Sequence, residues 1–319
     1  MITNRHDLWV YAFNAYTQSG ATALATIHVA QIEAVAKTIG KPDLTDWDFY
    51  LPKNLQAANN PIGNDQNAAF RAAYFFFVQT ALQYCFWDFD AAGNQTHWCY
   101  KGDPKAKGSR GCVALTMALY DDGVFPGLHI QKHDVQDLLS AYVADMPLAA
   151  SRLKILEEVA DMDTFFNEIY LPMLKSGVAD TGLAAKMAKL FPEAFADPFL
   201  KKAQLVLGLI VANFASRGSP NKPSLTAYSD YRIPQVLRHL GLISYSDELA
   251  KKVDSGELLA AGSAEEVAIR AVTILACARL AAESGLSDME IDNWLFEQSR
   301  DGGFQANAKP FHLTVTTHY

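Results

Sequence analysis

Between Gln66 and Cys85 the chain carries Phe70, Phe75, Phe76, Phe77, Leu82 and Tyr84, and it is too apolar around its circumference for a surface helix. It predicts a buried central helix, which other elements have to cover. Half of the 319 residues are hydrophobic, enough for a sizeable core. Ala21 to Ile39 reads as a further helix, stopped by Gly40-Lys41-Pro42. Gly111 to Asp121 carries Leu115, Met117 and Leu119 and ends at Gly123, and Phe199 opens a long apolar helix reaching about Phe214. From His133 to Pro192 the pattern is of three or four short amphipathic helices, with Leu138, Leu139, Tyr142 and Val143 on one face, then Leu153, Ile155, Leu156 and Val159 on another. Ser263-Ala264-Glu265-Glu266 and Ser287-Asp288-Met289-Glu290 are capping boxes that open the last two helices.

Loops are expected after Trp47-Asp48-Phe49-Tyr50-Leu51-Pro52, at residues 57–64 and at residues 216–223, where turn formers cluster. One β element stands out. Phe86-Trp87-Asp88-Phe89 and Gln95-Thr96-His97-Trp98-Cys99-Tyr100 flank Ala91-Ala92-Gly93-Asn94, a hairpin signal followed by the basic, glycine-containing run from Lys101 to Arg110. With no internal repeat, heptad run or low-complexity tail, the expectation is a mainly α, single compact domain over 1–319 with a small hairpin near residues 86–100. Its N-terminal half, with the hairpin, runs to about residue 125, and its C-terminal half covers about 126–319.

The formal charge of −8 lacks the basic footprint of a protein that grips nucleic acid by its phosphates. Cys85, Cys99, Cys112 and Cys277 show neither metal-ligand spacing nor a dense disulfide pattern, and read as reduced thiols of a cytoplasmic protein. No secretory signal opens the chain and no stretch is apolar enough to span a bilayer. Glycine-rich phosphate loops leading from a strand, zinc signatures and serine nucleophile elbows are absent, so neither metal nor cofactor is expected.

The chemistry is expected around Asp230, in Tyr228-Ser229-Asp230-Tyr231-Arg232-Ile233-Pro234-Gln235-Val236-Leu237-Arg238-His239-Leu240-Gly241. Pro234 reads as the first residue of a short helix that Gly241 closes in a left-handed cap. Asp230 then stands just ahead of a positive dipole end, as a candidate nucleophile or cation stabiliser, or as a helix cap or ion-pair partner of Arg232.

This stretch resembles the signature of the queuosine salvage proteins, queuosine 5′-phosphate N-glycosylases, in which an Asp-Tyr-Arg-hydrophobic-Pro-Gln run precedes a helix ending in Leu-Gly. The likeness continues through Tyr245-Ser246-Asp247-Glu248-Leu249, Gly256-Glu257-Leu258-Leu259, Glu266-Val267-Ala268-Ile269-Arg270, Pro310-Phe311-His312 and Tyr319. The resemblance implies a helical, DNA-glycosylase-like fold. It also implies a metal-independent hydrolase that cleaves the N-glycosidic bond of queuosine 5′-monophosphate and releases queuine for tRNA-modification salvage. Asp230 would act at the anomeric carbon. In the family the helix equivalent to Asp292-Asn293-Trp294-Leu295-Phe296-Glu297 recognises the base, so Asp292, Asn293 and Glu297 are candidate base contacts. Asp292 matches the family directly, whereas Asn293 stands for Tyr and Glu297 for Asp. Residues five apart on a straight helix point about 140° from one another, so Asp292 and Glu297 converge only if the helix ends or bends before Ser299. Otherwise they belong to a solvated acidic face.

Tyr228 stands where relatives carry Phe and is a candidate for stacking on the base or for core packing. Lys201, Lys202 and Arg232 are candidate 5′-phosphate ligands or ordinary ion-pair partners. His312 suits a structural hydrogen bond as well as a catalytic role, and His28 reads as a satisfied core residue. Two other functions stay open: a non-catalytic binding protein for a 7-deazaguanine base or nucleoside, and a glycosylase with shifted base specificity.

Overall fold

The computed structural model describes residues 2–18, 20–44, 50–57, 66–124, 140–218 and 221–319. The aromatic segment at 47–49, the expected loop beyond Ala57, the start of the helices expected from 133 (Leu138 and Leu139 included) and residues 219–220 lie outside the described residues.

The fold is mainly α. Helices α1 (Arg5–Gln18), α2 (Val29–Ala36), α3 (Gln66–Ala81), α4 (Ser109–Asp121), α5 (Ala149–Val159), α6 (Thr181–Leu190), α7 (Lys201–Ser216), α8 (Arg232–His239), α9 (Asp247–Asp254), α10 (Ala264–Ser284), α11 (Asp288–Gln298) and α12 (Gly302–Asn307) carry the structure. Short helical turns join them. No helix among the described residues is long and apolar enough to cross a membrane.

Helix α3 is the expected buried element, with Ala72 to Val78 all buried and Phe77 stacked on Phe165 at a centroid distance of 4.3 Å. It ends at Ala81, four residues earlier than the apolar run. The carbonyls released there are taken up by two buried cations. Arg152 donates to the oxygens of Leu82 (2.6 Å), Tyr84 (2.6 Å) and Cys85 (3.2 Å), and Lys202 Nζ donates to the Ala81 oxygen at 2.8 Å. A positive charge suits a helix C-terminus, where unpaired carbonyls accumulate negative charge.

Two large core clusters share the chain. One surrounds α3 and α7. The other packs Ile32 and Ala36 of α2 and Ile233, Val236 and Leu237 of α8 against Val272, Ala276 and Leu280 of α10 and Ile291 and Leu295 of α11. The N-terminal helices thus lie on C-terminal ones, and the cores do not divide near residue 125.

The hairpin forms as expected from β2 (Trp87–Phe89) and β3 (Gln95–His97), with Trp87 opposite His97. Two further strand pairs were not expected: β1 (Ala25–Ile27) with β6 (Ile243–Tyr245), antiparallel, and β4 (Val178–Asp180) with β5 (Lys222–Ser224), parallel. Each is three residues long and joins segments far apart in sequence, so neither has a local signature.

The capping box at Ser287 is complete. Its hydroxyl accepts the Glu290 amide and Glu290 accepts the Ser287 amide. At Ser263 only half forms, because the Glu266 carboxylate turns to the Gly262 amide (3.2 Å) and to Arg270 instead. His28 is not a core residue: it is exposed ahead of α2, with Nε2 2.8 Å from the Ser244 hydroxyl.

Candidate active site

Helix α8 begins at Arg232, two residues before Pro234, whose missing N–H falls in the first turn where no intrahelical acceptor is needed. It ends as expected. Gly241 has φ +70 and the Leu242 amide reaches back to the Leu237 oxygen at 2.9 Å.

The two oxygens of Asp230 have separate tasks. Oδ1 accepts the amides of Arg232 (2.7 Å) and Ile233 (3.1 Å) and so caps α8, while Oδ2 faces Lys201 Nζ at 3.7 Å. Lys201 opens α7 and is held from behind. Asp197 Oδ2 accepts its amide at 2.8 Å, and Arg270 grips both oxygens of Asp197 at 2.8 and 2.6 Å. Burial works against the Asp197 charge, yet the Arg270 guanidinium and its hydrogen bonds hold the carboxyl below the usual range.

Asp292, on α11, is 7% exposed. Its Oδ1 accepts the Tyr228 amide at 2.8 Å, tying α11 to the strand of chain that delivers Asp230. Burial pushes its carboxyl up to about 7. The Tyr228 amide opposes that, the Asp230 charge adds to it and Lys201 reduces it.

Asp230, Lys201, Asp292, Asn293, Tyr228 and Arg232 all line one cavity of about 900 Å³, with Phe86, Trp87, Tyr231, Phe311 and Tyr319 among its aromatic walls. The Tyr231 and Phe311 rings pack at 4.6 Å. Tyr228 is buried, and its Oη has no hydrogen-bond partner among the described residues and points at Gly208 of α7, where a Cβ would lie 2.0 Å away. It serves as both core and wall.

The structure does not bring three of the expected ligands to the cavity in their expected roles. Glu297 is exposed and does not line the cavity, although its partner Arg300, 3.0 Å away, does, because α11 stays helical to Gln298 and turns position 297 away from Asp292. Lys202 is fully buried as the cap of α3, 4.6 Å over the Tyr84 ring, with its ammonium pushed well down by burial and by the neighbouring cations. Lys201 reaches the cavity, but as the partner of Asp230. His312 is buried, with Nε2 3.0 Å from Tyr319 Oη, and burial pushes its imidazole down to about 3.

Conversely, the cavity includes residues the sequence reading did not single out: Tyr50, His97, Lys105, Lys107, Ser109, Arg110, Met289 and Arg300. The signal for four of them was the basic run after the hairpin. Among the described residues no three His, Cys, Asp or Glu side chains gather as metal ligands.

Residues 63–319 match the family model described as queuosine salvage protein. The chain belongs to that family. Similar proteins include one from Mus musculus named queuosine 5′-phosphate N-glycosylase/hydrolase, 27% identical over 315 residues, covering 87% of this chain and 89% of that protein. One of the same name from Sphaerobacter thermophilus is 27% identical over 273 residues (77% and 81%), and one from Bos taurus 26% over 293 residues (82% and 84%). The queuosine salvage likeness therefore reaches into the N-terminal half, to residue 63, beyond the last third of the chain that first suggests it.

Proposed function

We propose that this queuosine salvage protein hydrolyses the N-glycosidic bond of queuosine 5′-monophosphate. The bond between the anomeric carbon and the base nitrogen breaks, water adds its oxygen to the sugar and a proton ends on the base, so that queuine and ribose 5-phosphate leave. The observation that carries the reading is the pairing of carboxyl groups in one cavity. Asp230 is held beside Lys201, while Asp292 is pushed to about 7 by burial.

In this reading Asp230 Oδ2 offsets the charge that develops on the sugar as the bond lengthens, or attacks it, while Oδ1 stays bound to α8 and fixes the angle of approach. Asp292 is half protonated near neutrality and offers the departing base a hydrogen bond or proton. Tyr228 and Asn293 flank the base, and the aromatic walls exclude water and strengthen each charge. The cysteines carry no disulfide, in keeping with a cytoplasmic enzyme.

The test is incubation of purified protein with queuosine 5′-monophosphate, queuosine and guanosine 5′-monophosphate, beside Asp230→Asn. Release of free queuine by the wild type and its loss in the variant is the expected result. Queuine that binds without release from any substrate would instead make the protein a carrier of the base.

A further inference from the structure

The stretch Glu266-Val267-Ala268-Ile269-Arg270 takes no part in the chemistry above, yet its last residue joins the two segments that carry Asp230 and Lys201. Arg270, on α10, is buried, and its guanidinium bonds both segments at once. Nε donates to the Ser229 oxygen at 3.1 Å, one residue before Asp230, and the Ser229 hydroxyl donates back to the Arg270 oxygen at 3.0 Å. Nη1 and Nη2 take the two oxygens of Asp197, four residues before Lys201. Asp197 passes that grip on. Its Oδ1 accepts the Phe199 amide at 3.1 Å and its Oδ2 the Lys201 amide, one on each side of Leu200. Leu200 has φ 56 and ψ 27, a left-handed conformation that a side chain disfavours and that surrounding bonds must hold in place. The carboxylate pinned by Arg270 therefore shapes the turn from which α7, and Lys201 with it, starts.

The clamp itself has little freedom. The guanidinium packs over the rings of Phe199 (4.6 Å) and Tyr319 (4.4 Å), and Glu266, one turn earlier on α10, stands 3.5 Å from Nη1. Lys201 Nζ and Asp230 Oδ2, by contrast, are 3.7 Å apart, too far for a hydrogen bond. The two side chains therefore do not fix their own separation; the backbones behind them do. At that distance the ammonium offsets the charge of the carboxylate while Oδ2 keeps its lone pairs for the sugar.

We propose that Arg270 is a positioning residue for the reaction: by holding Ser229 and Asp197 together it sets the gap between Asp230 and Lys201, and so the place of Asp230 Oδ2 against the sugar. The proposal rests on the glycosylase reading and deepens it. Only a planar fork can serve both sides, because the bidentate grip on Asp197 leaves Nε free for the Ser229 oxygen, whereas a lysine ammonium is a single point of charge. Displacing a reacting group by about 1 Å costs on the order of a hundredfold in rate, so a loosened clamp acts on turnover before it acts on binding.

The experiment measures kcat and KM for queuosine 5′-monophosphate, and amide hydrogen exchange, in wild type, Arg270→Lys, Lys201→Met and the double variant. In Arg270→Lys kcat falls about ten- to a hundredfold while KM changes by less than about threefold. In the Lys201→Met background the same substitution costs less than about threefold, because the separation it governs no longer has two partners. Exchange of residues 197–202 and 228–233 accelerates together, and α3 stays protected. Losses that multiply in the double variant, an unchanged kcat, or exchange that accelerates equally throughout the chain each overturn the proposal. If Arg270→Lys does not fold, Ser229→Ala, which removes only the hydroxyl bond to the Arg270 oxygen, carries the same test: a kcat loss that vanishes beside Lys201→Met sustains the proposal, and a multiplying loss or none sinks it. If the wild type releases no base from any substrate, the glycosylase reading fails on its own and exchange alone decides the clamp. Joint acceleration confined to the two segments then sustains it, and uniform or absent acceleration sinks it.

Discussion

Asp292 Oδ1 accepts the backbone amide of Tyr228 at 2.8 Å, so the buried carboxyl of α11 holds the segment that carries Asp230 two residues later. The same side chain lines the cavity together with Asp230. Replacing it by Asn keeps the acceptor for Tyr228 while removing the ionisable group, which makes Asp292→Asn a clean probe of the proton.

That proton gives a pH dependence of definite sign. The folded-state value of about 7 lies above the ordinary carboxylate value of 3.8, so the contribution of Asp292 to stability is complete below about pH 4 and is lost as the pH rises through about 7. The loss is on the order of a few kcal/mol. Asp288, raised to about 6 by burial, acts in the same direction over the lower part of that window. Denaturant unfolding of wild type and Asp292→Asn between pH 4 and 8 should show a shallower decline in the variant. The rate of base release should fall on the alkaline side of about 7 in wild type and lose that limb in the variant.

Asp230→Asn should separate chemistry from capping. Asn caps a helix about as well as Asp, so stability is expected to stay within about 1 kcal/mol. The charge facing the sugar is gone, and kcat should drop by about a hundredfold or more while base binding persists. Stopped or quenched turnover assays beside equilibrium binding of queuine measure the two separately. A large loss of stability at unaltered turnover would reduce Asp230 to a cap.

Gly208→Ala should drive the Tyr228 ring out of place, since the added methyl lies 2.0 Å from Oη. Loss of activity and of stability by about 1–3 kcal/mol is expected. Tyr228→Phe on its own removes a buried hydroxyl that has no partner among the described residues and should be neutral or mildly stabilising. Combined with Gly208→Ala it should recover part of the loss, and a double-mutant cycle of melting temperatures measures that coupling.

Lys202→Met should leave the Ala81 carbonyl unpaired and cost about 1–3 kcal/mol of stability. It should not alter the preference between phosphorylated and free nucleoside. A changed preference in steady-state kinetics would return Lys202 to the phosphate site.

What the sequence determined by itself was local. The apolar circumference of residues 66–85 required a buried helix, though not its end at Ala81, the aromatic runs around Gly93 required a hairpin, and Asp230, Pro234 and Gly241 marked both ends of α8, because periodicity, turn chemistry and capping act within a few residues. The family signature around Asp230 and Asp292 likewise pointed to one pocket. Only the tertiary structure decided which distant groups meet. Adjacent lysines 201 and 202 look alike in sequence, yet α7 turns one towards Asp230 and the other towards the end of α3. Glu297 looked like a base ligand until the helical course of α11 carried it out of the cavity lining, and the basic run before α4 had no assigned role until two glycines let it close against the cavity. The physical reason is the same in each case: a charge takes its role from the partner that burial brings to it, and that partner comes from another part of the chain.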